Sequence, residues 1–360
     1  MIQEPQETPN SNVHEADNST LSDAERKQQQ DLARANSLQD KDPPLVRNIY
    51  TADPSAHVFD GKIYIYPSHD IESEACTNDD GDQFAMRDYH VLSLDNETAV
   101  ATDHGIALCV DDIPWAEKQL WAPDAAYKNG TYYFYFPARD YEGIFRIGVA
   151  SGPSPTGPFK AQDQYIKGTY SIDPAVFEDS DGTHYMYWGG IWGGQLQRWH
   201  SGAYNTEDVY PADNQPAYAP LVAKLSDDML ELAEAPKDVL IYDRDGSLLC
   251  AGDNERRFFE AAWLHKHAGV YYFSYSTGDT HKIVYATGDN PYGPFTYQGI
   301  ILQPVLGWTN HHSIAQYNNK WFLFYHDSSL SQGQTHLRCV KMTELVHDKN
   351  GDIQTINAYE

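Results

Sequence analysis

One unit recurs five times along this chain of 360 residues and limits what the chain can fold into. Each unit consists of an acidic or polar residue, a short strand, a tight turn and a second strand rich in aromatic residues. The units start at Asp53, Asp124, Asp173, Glu260 and His311, and their turns are Asp60-Gly61, Asn129-Gly130, Asp181-Gly182, Ala268-Gly269 and Asn318-Asn319. Asn-Gly and Asp-Gly are strong hairpin signals, because both turn positions need a positive φ. The repeat therefore predicts five β-hairpins, separated by inserts of uneven length.

Five such hairpins are typical of an all-β fold, the five-bladed β-propeller, in which each hairpin forms the inner half of a blade. Outer strands are predicted after the hairpins, for example at 145–150 and 283–286. The same tripeptide follows both of these strands, at Gly157-Pro158-Phe159 and Gly293-Pro294-Phe295. The alternative is an irregular β-sandwich whose units are similar by accident. The second repeated element favours the propeller.

The aromatic residues divide the chain into two parts. All 47 of them (8 Trp, 26 Tyr and 13 Phe) lie at or after Tyr50. Residues 1–43 are polar and cannot bury a core, so they are predicted to be a mostly flexible extension. Within it, the capping-box spacing from Ser22 to Glu25 predicts a short helix near 22–36. Residues 44–360 are predicted to form the propeller domain.

Charge limits the partners of the protein. The 25 Lys and Arg residues face 52 Asp and Glu residues, which gives a net charge of −27. Such a surface repels phosphate backbones and anionic membranes, so neither nucleic acid nor a membrane is an expected partner. An acidic chain with many aromatic residues instead suits a neutral, hydroxyl-rich ligand such as a sugar.

The cysteines and the first residues bear on the compartment. The four cysteines lack the close spacing of a zinc or redox motif, so they are predicted to be free thiols, which mildly favours a reducing compartment. The first residues carry neither the basic nor the apolar region of a signal peptide. A cytoplasmic location is therefore expected, or a periplasmic or secreted one if a signal has been removed. The oligomeric state stays open.

The starts of the five units are the candidate functional residues. In a propeller the innermost strands line the central channel, so equivalent starts meet on one rim. Four carboxylates and one imidazole would then converge, and like charges raise one another's pKa, which marks functional sites. Asp53 and Asp173 both precede proline, which predicts an extended backbone that aims the carboxylate.

Paired carboxylates with aromatic walls indicate glycosidic cleavage. One protonated carboxyl group protonates the leaving oxygen, and a second, ionised carboxylate either activates water or attacks directly. Aromatic faces stack on sugar rings, and Trp121, Trp192 and Phe259 lie next to the repeated units. Each of these three is a candidate for sugar contact, with burial in the core as the alternative.

Several motifs together resemble glycoside hydrolase family 43. They are Thr51-Ala-Asp-Pro-Ser-Ala-His57, Trp121-Ala-Pro-Asp124, Ser171-Ile-Asp-Pro-Ala-Val-Phe177, Phe258-Phe-Glu260 and Thr309-Asn-His-His-Ser313. Segments 86–90, 189–194 and 275–279 are similar to its β-xylosidase and α-L-arabinofuranosidase members. The resemblance covers about 45–360 and implies a five-bladed propeller with an inverting mechanism.

The resemblance also implies roles for individual residues. Asp53 matches the general base that activates water, and Glu260 matches the general acid. Asp173 matches a third carboxylate that orients the acid and keeps its pKa high. His311 matches a central histidine that often helps to hold Ca²⁺, so a calcium ion is the expected cofactor, with no organic cofactor. Asp124 matches a further acidic position beside the site.

Other residues are expected to shape the pocket. Asp70 and Arg338 are candidates for binding substrate hydroxyls, with a surface charge or a structural ion pair as the alternative. The insert 201–257, which contains Asp227-Asp228 and Glu255-Arg-Arg257, is expected to help close the pocket.

The sequence thus predicts an inverting exo-glycosidase that releases β-D-xylose, α-L-arabinofuranose or both from xylo- or arabino-oligosaccharides. Preference between the two pentosides stays open. One alternative is a sugar-binding propeller without catalysis, which would need the aromatic residues but not the carboxylates. Another is a retaining, fructan-cleaving propeller, but its Asn-Asp-Pro-type motif is not found here, since Thr51-Ala52 precedes Asp53.

Overall fold

The computed structural model describes residues 33, 37–98 and 100–360. The predicted helix near 22–36, except for Ala33, lies outside the described residues. The same is true of most of the predicted extension 1–43.

Five β-sheets succeed one another along the chain and form the five blades of a β-propeller, as the repeat predicted. Blade I contains β1 (Tyr50–Phe59), β2 (Lys62–Asp70), β3 (Asp88–Leu94) and β4 (Thr102–Cys109). Blade II contains β5 (Ala116–Lys118), β6 (Asp124–Lys128), β7 (Thr131–Asp140), β8 (Phe145–Gly152) and β9 (Lys160–Ala161). Blade III contains β10 (Ala175–Glu178), β11 (His184–Trp188), β12 (Leu221–Lys224) and β13 (Lys237–Asp238).

Blade IV contains β14 (Ile241–Tyr242), β15 (Glu260–His267), β16 (Val270–Ser276), β17 (Ile283–Gly288) and β18 (Phe295–Leu302). Blade V contains β19 (His312–Tyr317), β20 (Lys320–Asp327) and β21 (Cys339–Leu345). Short 3₁₀ turns occupy Val110–Asp112, Trp192–Gly194, Leu196–Trp199 and Gly278–Thr280. No helix among the described residues is long and apolar enough to cross a membrane.

The hairpin turns explain why the strands pair as they do. In four of the five turns both central residues have a positive φ, for example 53° at Asn129 and 85° at Gly130. This geometry matches the right-handed twist of the flanking strands, so two residues suffice to reverse the chain. The turn of blade III is longer, and in it only Gly182 has a positive φ, of 80°. The predicted outer strands β8 and β17 each pair with the second strand of their hairpin.

The first and last blades close the ring. The backbone N–H of Thr51 donates to the carbonyl of Arg338 at 2.9 Å, and that of Leu45 donates to the carbonyl of Val340 at 2.9 Å. On the inner strand, the N–H of Ala56 donates to Ser313 Oγ at 3.0 Å. These bonds fasten the start of the described domain to β19 and β21, so blades I and V hold the inner strands at fixed positions around the axis.

The core lies between the blades and is largely aromatic. Among the largest side chains that are fully buried are Tyr66, Tyr89, Tyr135, Trp188 and Phe273. Burying one large apolar side chain stabilises a fold by about 1.5–3 kcal/mol. Most of the 47 aromatic residues therefore hold the blades together, which leaves a small number for ligand contact. All four cysteines are free, as predicted.

Candidate active site

β-Bulges place two of the repeated acidic residues. The register of β1 against β2 shifts between Ala52 and Ser55, and that of β15 against β16 shifts between Glu260 and Trp263. A bulge bends its strand and redirects a side chain, so both carboxylates leave the regular alternation of their strands. The prediction of an extended backbone before proline is wrong, because Asp53 has a φ of 47° and Asp173 a φ of 60°. Such left-handed backbone is strained and persists only where the surroundings fix it.

The redirected side chains share one pocket. Eight of the predicted site residues line it: Asp53, Trp121, Asp173, Trp192, Phe259, Glu260, His311 and Arg338. The convergence on one rim, which was inferred from the repeat, therefore holds for the units of blades I, III, IV and V.

Both carboxylate oxygens of Asp53 accept hydrogen bonds. Its Oδ1 accepts a hydrogen bond from Arg338 Nη1 at 2.9 Å, and its Oδ2 accepts one from Ser68 Oγ at 2.6 Å. Burial pushes the pKa of Asp53 upward, but the positive charge of Arg338 and the neighbouring histidines bring it down to about 2. Asp53 is therefore ionised at neutral pH.

His326 supports Asp53 from behind. The backbone N–H of Asp53 donates to His326 Nδ1 at 2.9 Å, so this ring nitrogen carries no proton. The proton of the neutral ring therefore sits on Nε2, which is 3.0 Å from the carbonyl oxygen of Thr309. Burial and the nearby guanidinium of Arg338 lower the pKa of His326 to about 3, which keeps the ring neutral. The strained backbone at Asp53 is thus fixed by a buried hydrogen bond.

Glu260 and Asp173 have the opposite environment. Burial and the negative charge of Asp53 raise the pKa of Glu260 to about 8, although Arg338 opposes the shift. Burial and the charge of Glu260 likewise raise the pKa of Asp173 well above its usual range. Asp173 Oδ2 accepts the backbone N–H of Ala261 at 2.9 Å, and Ala261 directly follows Glu260. Asp173 therefore fixes the backbone that carries Glu260, but the negative charge that raises the pKa of Glu260 is that of Asp53 and not, as the resemblance implied, that of Asp173.

His311 lies between the two groups of carboxylates. Its Nδ1 is 3.9 Å from Asp53 Oδ1 and 3.7 Å from Asp173 Oδ2. Burial lowers the pKa of His311 to about 4, so the ring is neutral and its nitrogen lone pair can accept a cation. The neighbouring His312, to which the sequence assigned no role, faces away from this group, and its ring contacts Ser274 Oγ at 2.6 Å.

An aromatic wall faces the carboxylates. The ring of Trp192 is 5.3 Å from that of Phe259 and 5.4 Å from that of Trp308. Gly278 makes room for this wall, because a Cβ there would lie 2.1 Å from the Phe259 ring. Trp121 forms another part of the lining, and its Nε1 donates to the carbonyl of Phe84 at 2.8 Å. The wall can therefore present flat apolar faces to a sugar ring.

Two predicted substrate-binding residues, Asp70 and Asp124, do not line the pocket. Asp70 forms a bidentate ion pair with Arg338 (Nε–Oδ2 2.8 Å, Nη2–Oδ1 2.7 Å), so it acts on the site through Arg338. This is the structural ion pair that was the alternative. Asp124 is fully buried and accepts hydrogen bonds from Ser55 and from the backbone of Ala125. Its carboxylate is satisfied by blades I, II and III and does not point at a ligand.

The insert 201–257 does not line the pocket, contrary to expectation. Its residues instead form the outer strands β12 and β13 of blade III and the strand β14, which pairs with β18 of blade IV. The pocket wall comes from segments 78–86 and 191–194. Arg257, at the end of the insert, has its guanidinium 5.9 Å from the ring of Phe259, which does line the pocket.

Sequence reasoning missed three kinds of lining residue. Trp308 directly precedes the motif 309–313, which was the only signal for it. Gln83, Phe84 and Met86 belong to an insert between β2 and β3 that carries no repeat. Asn310 lies inside the motif; its Nδ2 donates to the carbonyl of His281 at 2.8 Å, while its buried Oδ1 has no partner among the described residues.

Comparison with known proteins agrees with this architecture. Residues 43–353 match the family model described as glycosyl hydrolases family 43. The xylosidase/arabinosidase 43A of Humicola insolens is 59% identical over 321 residues, which cover 87% of this chain and 98% of that protein. The β-xylosidase of Xylanibacter ruminicola is 52% identical over 309 residues, which cover 85% and 97%.

Solved structures give the same picture. A β-xylosidase/α-arabinofuranosidase from a compost microbial metagenome, in complex with xylotriose and in a calcium-free form, superposes with a TM-score of 0.88 at 63% identity. The match covers 90% of this chain and 99% of that chain. An enzyme from Xanthomonas citri complexed with xylotriose superposes with a TM-score of 0.86 at 54% identity and covers 93% and 98%.

Proposed function

The chain belongs to glycosyl hydrolases family 43, and from this premise we propose that it is an inverting exo-glycosidase that releases β-D-xylose, α-L-arabinofuranose or both from xylo- and arabino-oligosaccharides. One observation carries the proposal. Two carboxyl groups line one pocket in opposite protonation states, because the pKa of Asp53 is about 2 and that of Glu260 is about 8. An ionised base and a protonated acid are what hydrolysis with inversion requires at neutral pH.

The reaction follows from these two states. Glu260 donates its proton to the glycosidic oxygen as the bond from that oxygen to the anomeric carbon breaks. A water molecule attacks the anomeric carbon from the opposite face, and Asp53 accepts the proton that this water loses. The sugar leaves with inverted configuration. Asp53 ends protonated and Glu260 ends ionised, so one proton must pass back through solvent before the next turnover.

Two further residues maintain the difference between acid and base. Arg338 donates to Asp53 but to no oxygen of Glu260 among the described residues, so it favours the ionised form of the base. Asp173 binds the N–H of Ala261 at 2.9 Å and fixes the segment that carries Glu260. Both act through another residue, so we regard them as positioning residues.

The substrate class rests on the wall of the pocket and on the relatives. The rings of Trp192, Phe259 and Trp308 can stack on the apolar faces of a pentose. The buried Oδ1 of Asn310, which has no partner among the described residues, can accept a hydrogen bond from a sugar hydroxyl. This bond would satisfy a polar atom that otherwise costs stability. The names of the relatives include both xylosidase and arabinosidase, and two of the solved structures hold xylotriose.

A calcium ion fits the axis of the propeller. His311 is the side chain that would hold it, since its ring is neutral and makes no hydrogen bond within the described part of the chain. The carboxylates of Asp53 and Asp173 near the ring favour a cation electrostatically. Both oxygens of Asp53 and Oδ2 of Asp173 already accept hydrogen bonds, so waters would supply most of the oxygen ligands that Ca²⁺ prefers. When bound, the ion supplies positive charge that offsets the crowded carboxylates.

The test compares substrates and follows the first product. The protein is assayed on nitrophenyl β-D-xyloside, nitrophenyl α-L-arabinofuranoside and xylotriose, with calcium and with a chelator, and proton NMR follows the first anomer of xylose released from xylotriose. We expect α-xylose first from this β-linked substrate. First appearance of β-xylose would show retention and contradict the mechanism. Binding of xylotriose without turnover of any substrate would indicate the non-catalytic alternative.

A further inference from the structure

A second cluster of metal-binding side chains lies on blade I, outside the pocket. It is formed by His69 on β2 and by Asp88 and His90 on β3, and one ligand atom from each lies within 4.8 Å of the others. Ser68 pairs with Tyr89 across the two strands, so the flanking residues His69 and Asp88 share the opposite face. His90 follows Asp88 by two positions and returns to that face. The strand pairing thus assembles the cluster from three residues.

The distances approach those of a metal site. His69 Nδ1 is 2.6 Å and His90 Nε2 is 3.8 Å from Asp88 Oδ1. Ligand bonds of about 2.0–2.2 Å around a tetrahedral Zn²⁺ place neighbouring ligand atoms about 3.3 Å apart. The first separation must therefore widen and the second must shorten, each by less than about 1 Å. Side chains that are partly exposed can make such adjustments.

A fourth residue prepares His90 as a ligand. His90 Nδ1 is 2.8 Å from Asp103 Oδ1, and a carboxylate only accepts, so Nδ1 carries the proton. This leaves the lone pair on Nε2, which faces Asp88. Asp103 is itself fixed by the N–H of Gly105 at 2.8 Å. A carboxylate that orients a metal-binding histidine through its other nitrogen is a recurrent feature of metal centres, and it is independent of the three ligands.

We propose that His69, Asp88 and His90 form a binding site for a divalent transition metal such as Zn²⁺, with water as the fourth ligand and Asp103 as the orienting carboxylate. Two imidazoles and one carboxylate favour Zn²⁺ and similar ions over Ca²⁺, which prefers oxygen. The metal takes the place of the proton that now lies between His69 Nδ1 and Asp88. That proton moves through solvent to Nε2, so the ring of His69 stays neutral.

The site is placed to stabilise the segment that holds the base. His69 lies between Ser68, which donates to Asp53, and Asp70, which pairs with Arg338. A metal bound at His69 ties this segment of β2 to β3. Binding therefore raises the thermal stability of blade I and does not add a reacting group to the pocket.

The experiment separates this site from the axis of the propeller. The full chain carrying His311→Ala, which removes the imidazole of the proposed calcium site, is stripped with chelator and titrated with zinc by calorimetry and with Co²⁺ by visible absorption. We expect one zinc per chain, a visible cobalt spectrum and a rise in Tm with zinc. His69→Gln or His90→Gln in the same background should weaken zinc binding by more than tenfold and remove the rise in Tm.

Two further variants keep the result interpretable. Asp103→Asn should weaken zinc binding by about 10–100-fold, as is usual for orienting carboxylates, without removing a ligand. His104→Gln is the matched control on β4, because its ring contacts Ser93 and lies outside the cluster. Equal zinc affinity in the parent, His69→Gln and His90→Gln proteins, each folded by its own melting curve in chelator, would overturn the proposal. A loss of binding in His104→Gln alone would do the same.

Discussion

The two sides of the pocket hold their carboxylates in opposite states. On the side of Asp53, one buried guanidinium contacts the carboxylate at 2.9 Å and a serine donates at 2.6 Å. On the side of Glu260, no lysine or arginine of the described residues pairs with either Glu260 or Asp173, and burial dominates both pKa values. Since both sides are buried, the difference comes from the position of Arg338 and not from exposure.

This contrast shows how one rim can carry both an acid and a base. A propeller brings equivalent positions together, and equal environments would leave the carboxylates to share protons without assigned roles. Arg338 breaks that equivalence. It directly precedes β21, close to the end of the described chain, and reaches the base of blade I across the closure of the ring.

The largest effect should follow from removing the proton of the acid. Glu260→Gln keeps the shape of the side chain but cannot donate, so kcat on xylotriose should fall by about 10²–10⁴-fold. The loss should be much smaller on a dinitrophenyl xyloside, whose leaving group needs little protonation. The activity of the wild type should also fall as the pH rises through about 8, where Glu260 loses its proton, and this fall should be missing in the variant.

Steady-state kinetics on both substrates across pH 5–10 check this prediction. An equal loss on the two substrates would mean that Glu260 is not the acid. A wild-type profile without a basic limb near pH 8 would mean that its pKa is not raised as burial implies.

Arg338→Met should give the next largest effect, because it erases the difference between the two sides. Without the guanidinium, burial raises the pKa of Asp53, so the base becomes protonated at a higher pH. Activity needs the ionised form of Asp53. The activity of the variant should therefore be lost as the pH falls through this raised pKa, a range in which the wild type is still active. We expect a loss of about 10²–10³-fold in kcat/KM near neutral pH, with Tm lowered by the buried, unpaired Asp70.

Arg338→Lys is the matched control, since it keeps the charge but loses the bidentate geometry. The acidic limb of its pH–activity profile should stay close to that of the wild type, while its kcat/KM falls. If Arg338→Met and Arg338→Lys shift the limb equally, the charge of Arg338 does not set the state of Asp53.

Much of this arrangement could be predicted from local sequence. The five hairpins follow from turn pairs such as Asn129-Gly130, because positive φ is a local requirement that the sequence states directly. The rim of acidic residues follows from the repeat, since equivalent positions in a propeller face one axis. The acid and base were matched to individual residues only through the resemblance to a known family. The low pKa of Asp53 and the raised pKa of Glu260 agree with that match.

The remainder depends on contacts that no local pattern encodes. Arg338 and Asp70 are 268 residues apart, and their pairing arises from the closure of the ring. The left-handed backbone at Asp53 arises from a bulge and from His326 on another blade. Asp124 has the same place in its unit as Asp53, yet its carboxylate accepts hydrogen bonds from neighbouring residues and does not reach the pocket. The packing of three blades determines these contacts.

A smaller effect is expected from Asp70→Asn, which disturbs the Arg338 side without removing its charge. The guanidinium should lose one strong partner and become less well fixed, so kcat/KM should fall by about 10-fold. The acidic limb should not move, because the charge that holds Asp53 ionised remains. Kinetics over pH, with exposed Asp227→Asn as the control, distinguish this result from that of Arg338→Met. A shifted limb would show that Asp70 acts on Asp53 by more than fixing Arg338.

The smallest effect on activity is expected at Asp124. This residue starts a repeated unit as Asp53 does, but it does not line the pocket, so it tests whether position in the repeat alone affects activity. Its carboxylate accepts donors from Ser55, Ala125 and Val176, so Asp124→Asn places an amide where only acceptors fit. Unfolding should become easier by about 1–3 kcal/mol, while kcat/KM changes by less than about threefold at a temperature where the protein is folded. Asp53→Asn is the matched variant in the equivalent unit, and it should show the reverse. Its activity should fall strongly, while its free energy of unfolding stays close to that of the wild type. If Asp124→Asn instead loses activity as Asp53→Asn does, position in the repeat decides function, and the contrast in local environment does not.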